Sequence, residues 1–111
     1  MIKKTTKKQI REGIKKDLVD QLERKGVYGR HYLDLINDYM SLWDIKNNLI
    51  EDIEKRGVSV HWCNGGGQEG YKKNDSIAEL NKTSAQMLKI LNELGLKASD
   101  FEVVDPDDGE M

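Results

Sequence analysis

Lys3, Lys4, Lys7, Lys8, Arg11, Lys15 and Lys16 stand within the first sixteen residues, opposed by Glu12 alone. Cations at that density neutralise phosphates, giving affinity for a nucleic-acid backbone with little information about its sequence. Lys72 and Lys73 make a second, smaller basic point. At the other end Asp100, Glu102, Asp105, Asp107, Asp108 and Glu110 follow one another with no base among them. A net charge of −2 therefore conceals a basic head and an acidic tail, which suit different partners.

Other reactive groupings fall short of a site. His61-x-Cys63, with His31 elsewhere, offers three metal-ligand types but no CxxC, no HxxxH and no fourth ligand, so neither a metal nor a cofactor is expected. Gly65-Gly66-Gly67-x-x-Gly70 lacks the Gly-Lys-Ser/Thr of a phosphate loop and precedes a strand instead of a helix. Cys63 has no evident base to activate it. The paired carboxylates Glu51-Asp52 and Asp107-Asp108 read as a solvated helix face and a tail. No catalytic machinery is expected.

The elements that would carry these groups are mostly helical. Thr5 or Thr6 can cap a first helix to about Lys25, with Ile10, Ile14, Leu18 and Leu22 four apart and Val19 beside them. Lysines at its start oppose the helix dipole, a repulsion that an anionic partner would relieve. Gly26 to Gly29 forms a turn, and Arg30 to Arg56 reads as one long helix ending at Gly57. Along it Tyr28, Tyr32, Leu35, Tyr39, Leu42, Leu49 and Ile53 make an apolar stripe, with Lys46 in the place of one member. Ile36, Trp43 and Ile50 adjoin it. Such a helix is roughly 40 Å long, too long for one short helix to cover. It needs both other helices or copies of itself.

Residues 57–74 read differently. Val58, Val60 and Trp62 alternate with Ser59, His61 and Cys63, and Asn64-Gly65-Gly66-Gly67 lets the chain reverse. The expected hairpin sets Trp62 opposite Tyr71 and Val60 opposite Lys73, and needs a helix surface or a neighbouring subunit beneath it. A third helix opens with Ser76 as N-cap and Glu79 completing a capping box. Its stripe runs through Ile77, Leu80, Ser84, Met87, Leu91 and Leu94, and Gly95-Leu96 closes it.

Trp43-Asp44, Gly57-Val58-Ser59, the glycine-rich turn, Lys72-Lys73-Asn74 and Leu91-Asn92-Glu93-Leu94-Gly95-Leu96 occur in an order that resembles the small subunits of tailed-phage terminases. The similarity spans about Tyr28 to Leu96, and departs from the family pattern at Lys97-Ala98-Ser99, where Pro-Ser is commoner. The resemblance implies a ring-forming, non-enzymatic DNA-binding subunit. Such a subunit selects phage DNA and regulates a large subunit that carries the ATPase and nuclease. Its partners would be double-stranded phage DNA, the large subunit and itself, in the host bacterial cytoplasm.

The expectations are then concrete. The fold class is mainly α: a helical hairpin with one long central helix, a small β-hairpin insert and a third helix, assembling into a ring. Residues 1–99 form one helical domain, with the hairpin at 57–74, and 100–111 an acidic tail. The basic residues already named meet DNA. Tyr32, Leu35, Tyr39, Leu42, Trp43, Leu49, Ile53, Leu80, Met87 and Leu91 build the core and the oligomer. Phe101, Val103 and Val104, the apolar residues of the tail, contact the large subunit. No signal peptide or membrane span is expected, because Met1 to Thr6 leads into no apolar run and none elsewhere is long enough for a bilayer. The lone Cys63 can form no intrachain disulfide, which fits a reducing compartment. With 37% hydrophobic and 34% charged residues, the chain is lean in core material, so partner subunits would supply part of the burial. A competing reading is a small helical oligomeric adaptor that binds protein alone and leaves its basic head solvated.

Overall fold

The structure, a computed structural model, describes residues 5–96. Three helices and a two-stranded antiparallel hairpin follow in the order α1 (Lys7–Arg24), α2 (Arg30–Arg56), β1 (Ser59–Cys63), β2 (Glu69–Lys73), α3 (Asp75–Glu93). The mainly helical reading and the place of the hairpin agree with the sequence analysis.

Helix α1 starts at Thr6, whose hydroxyl accepts from the Gln9 amide at 3.1 Å while Gln9 Oε1 accepts from the Thr6 amide at 2.9 Å. This reciprocal cap satisfies two groups that the first turn would otherwise leave open. The helix ends where Gly26 takes φ +73°, and the Val27 amide reaches back to the Leu22 carbonyl at 2.9 Å. The end of α3 repeats that geometry: Gly95 has φ +72° and the Leu96 amide donates to Leu91 at 2.8 Å. In both stops the apolar residue after the glycine folds down onto the core: Leu96 is buried and Val27 packs against the cluster. The Lys25 ammonium also donates to the Gly95 carbonyl, tying the two stops together.

Helices α1 and α3 both run antiparallel to α2. Leu18, Leu22, Ile36, Met40, Trp43, Met87, Leu94 and Leu96 form the buried cluster, with Ile14, Val19, Tyr32, Leu35, Tyr39, Leu42, Ile90 and Leu91 packed around it. Of the ten core and oligomer residues expected, Trp43 and Met87 are buried and the other eight half-buried within this one chain. The large apolar side chains left exposed among the described residues are all others, among them Leu33, Ile45 and Leu88 on the helices.

Two local expectations need correction. The strands pair Val60 with Lys72, His61 with Tyr71 and Trp62 with Gly70, one residue away from the expected register. Gly70 provides the reason: a Cβ there would lie 3.2 Å from the Trp62 indole, so the missing side chain is the seat of the ring. The cross-strand ring contact falls instead to His61 and Tyr71, centroids 5.3 Å apart and edge-on. Asn64 holds the turn in this register, its Oδ1 accepting from the Gly66 and Gln68 amides at 2.9 and 3.2 Å. The second correction concerns α3, whose N-cap is Asn74, not Ser76: Asn74 Oδ1 accepts from the Ser76 amide at 3.0 Å. Ser76 is drawn instead to α2, donating its hydroxyl to Asp52 at 2.6 Å.

Candidate nucleic-acid interface

Lys7, Arg11, Ile14 and Leu18 lie at spacings of four, three and four, so the helix period puts them on one face of α1. That face meets α2. Its apolar lower half packs into the core, and its upper half bonds to carboxylates. Arg11 grips Asp44 with two parallel bonds, Nε to Oδ1 at 2.8 Å and Nη2 to Oδ2 at 3.1 Å. Lys7 Nζ reaches Glu51 Oε1 at 3.0 Å. The Arg11 bond holds the Asp44 carboxyl below its ordinary range, and the Lys7 bond does the same to Glu51. Asp44 in turn raises the Arg11 guanidinium.

The basic head is thus sorted by the helix into two sets. Lys8, Lys15 and Lys16 are exposed and make no ion pair among the described residues. Lys7 and Arg11 turn toward carboxylates of α2. Lys3 and Lys4 lie outside the described residues, as do Phe101, Val103, Val104 and the acidic tail.

At the root of the hairpin Asn74, fully buried, joins three elements. Its Nδ2 donates to the Gly57 carbonyl at 2.9 Å and to Asp52 Oδ2 at 3.3 Å, and its Oδ1 also accepts from Arg56 Nη2 at 3.1 Å. Its own amide donates to the Val58 carbonyl at 2.8 Å. Asp52 takes two further bonds from Arg56, both 2.7 Å, beside the one from Ser76. These donors hold the Asp52 carboxyl far below the ordinary aspartate range, with the Arg56 bonds the largest cause. The Glu51-Asp52 pair is therefore no bare solvated face: each carboxylate anchors a different element on α2.

Because Glu51 and Asp52 are consecutive, the basic head and the hairpin root come to the same end of α2. Lys72 and Lys73, exposed at that root, join the end where α1 begins. Lys72 Nζ sits 3.9 Å from Asp75, a loose pairing, and Lys73 makes no ion pair among the described residues. Beyond the root the hairpin projects with both faces open: Val60 and Gly70 alone among its strand residues are not exposed. Among the described residues no helix surface of the kind expected lies beneath it, and its order comes from Trp62 over Gly70 and from the anchored ends.

Among the described residues no group of three His, Cys, Asp or Glu is placed to hold a metal ion. No described helix is long and apolar enough to cross a membrane.

A family model described as "Phage terminase, small subunit" matches residues 15–108. The chain belongs to that family. It is accordingly the non-catalytic subunit of a terminase, with a role in recognition for DNA packaging. The match extends past the Tyr28–Leu96 stretch that carried the resemblance, covering Lys15, Lys16, Lys72, Lys73 and most of the acidic tail, and starts after Arg11. No curated protein and no solved structure matches the chain.

The hub at Asn74 is what the sequence reading missed. The signal was present in Lys72-Lys73-Asn74, where an asparagine directly before a helix is a preferred cap. Its reach to Asp52, Arg56 and Gly57 depends on how α2 and α3 cross, which no local pattern states.

Proposed function

We propose that this terminase small subunit meets double-stranded phage DNA through the exposed lysines of α1, Lys8, Lys15 and Lys16, with Lys72 and Lys73 as a second point of attachment. Lys3 and Lys4 extend the same basic run. The observation that carries the reading is the sorting of the head: carboxylates of α2 take Lys7 and Arg11, while three lysines stand exposed without ion pairs among the described residues. Interactions of this kind act on the backbone and are sequence-independent. Self-assembly into a ring and docking of the Phe101, Val103 and Val104 segment on the large subunit complete the proposed role. Family membership supports both partners.

The test is a mobility or anisotropy titration of duplex DNA across salt concentrations. Replacing Lys8, Lys15 and Lys16 with alanine should weaken binding equally on unrelated sequences. The log–log salt slope should fall by about 0.9 for each phosphate that the variant no longer neutralises. No binding by the unaltered protein even at low salt would instead favour the protein-only adaptor.

A further inference from the structure

We infer that Asp44 and Glu51 are stand-ins for DNA phosphates: they hold Arg11 and Lys7 against α2 in the free subunit, and duplex DNA displaces them. This rests on the DNA-binding reading above and adds to it two acidic residues that set its affinity.

The upper half of α1 is held on α2 by charge and contributes no apolar residue to the core. Ile10, the apolar residue of that half, is 46% exposed, and apolar packing against the core begins only at Ile14. What holds these turns are the Lys7–Glu51 and Arg11–Asp44 pairs. Both are open to water, with side-chain exposures of 50% and 56% in the first and 34% and 47% in the second. Ion pairs so exposed are weak and screened by salt, so they are cheap to exchange.

The exchange is chemically conservative. A guanidinium fork that makes two parallel bonds to a carboxylate makes the same two to a phosphate. The first turn of α1 contains no acid and begins with two lysines, so an anion is favoured there on dipole and charge grounds alike. Glu51 fills that need in the free subunit. A duplex drawn in by Lys8, Lys15 and Lys16 brings many phosphates to the same turns, and each competes with one carboxylate. Carboxylates are ionised at neutral pH, so Asp44 and Glu51 stay in competition with phosphate there.

The decisive comparison pairs Asp44→Asn with Glu51→Gln in one protein and Asp34→Asn with Asp38→Asn in another. All four acids lie on α2, and the two double variants change net charge equally, but Asp34 and Asp38 hold no described residue of α1. Binding of a fluorescent duplex at fixed salt is measured by anisotropy, with circular dichroism confirming that each variant is folded. The Asp44/Glu51 variant should bind about two- to thirtyfold more tightly than the control, the range expected for releasing two exposed ion pairs. In the unaltered protein the Arg11 Nε–H resonance should move on DNA addition. Equal or weaker binding by the Asp44/Glu51 variant than by the control overturns the inference and leaves the DNA reading intact. An unaltered protein that binds no duplex at low salt overturns both.

Discussion

At the scale of single residues, Asn74 and Asp52 join α2, the root of the hairpin and the start of α3. Asn74 uses both side-chain donors and two acceptor bonds inside a fully buried site. Asn74→Ala strips partners from Gly57, Asp52, Arg56 and the first turn of α3 at once. Leaving buried polar groups unpaired costs about 1–3 kcal/mol, so urea unfolding should show a loss of about that size. Asp52 supports a pH prediction. Its folded carboxyl titrates below the ordinary aspartate value of 3.8, so the stability it contributes is present above that value and lost as pH falls through the lower folded one. Melting temperature followed downward from neutral pH should therefore drop in the acid range. Asp52→Asn should start lower at neutral pH and show a shallower acid decline. A decline as steep as in the unaltered protein would shift the cause to Asp44 and Glu51, which have the same sign.

At the scale of elements, the hairpin is the part whose order has the least support. Neither strand is covered by a described helix, and two strands alone are marginal in water. Its register depends on an indole lying over a glycine, so a branched side chain at that glycine is the sharpest probe. Gly70→Val should push Trp62 off its seat and loosen both strands, while α1 to α3 keep their packing. In a Trp43→Phe background, Trp62 emission should shift to the red and the hairpin amides should lose exchange protection, with helical ellipticity nearly unchanged. An unmoved Trp62 spectrum would mean that the ring does not rest on Gly70. The helices need no such support. Each has its own stop at a glycine with positive φ, and α1 and α3 have side-chain caps at their starts.

For the whole molecule, the question is which apolar residues serve the single chain and which serve an assembly. Trp43 is only 9% exposed within one chain, so Trp43→Ala should cost about 3–5 kcal/mol of folding stability and report on the core. Ile45, two residues along the same helix, is 47% exposed. If α2 assembles with copies of itself, Ile45→Glu should leave the melting of secondary structure nearly unchanged and lower the mass measured by light scattering. A monomeric mass for the unaltered protein at micromolar concentration would remove the ring from the proposed function. Half-buried Leu49 lies between these cases, and Leu49→Glu would disturb folding and assembly together.

The amino-acid sequence by itself determined the helices, the bounds of α2, the glycine stops and the presence of the hairpin. These depend on periodicity, capping residues and positive-φ positions, all encoded within a few residues of one another. The ordered motifs from Trp43-Asp44 to Leu94-Gly95-Leu96 also carried the family. The register at Trp62 and Gly70 was visible only in the structure, because a slip of one residue moves Tyr71 from the face of Trp62 to that of His61, and the alternation within either strand by itself fits both pairings. The cap of α3 moved to Asn74 because Asp52 of another helix claims the Ser76 hydroxyl. The division of the basic head into bound and exposed cations was decided the same way. Charge along a chain is visible in sequence, but which lysine finds a carboxylate depends on the helix that packs beside it.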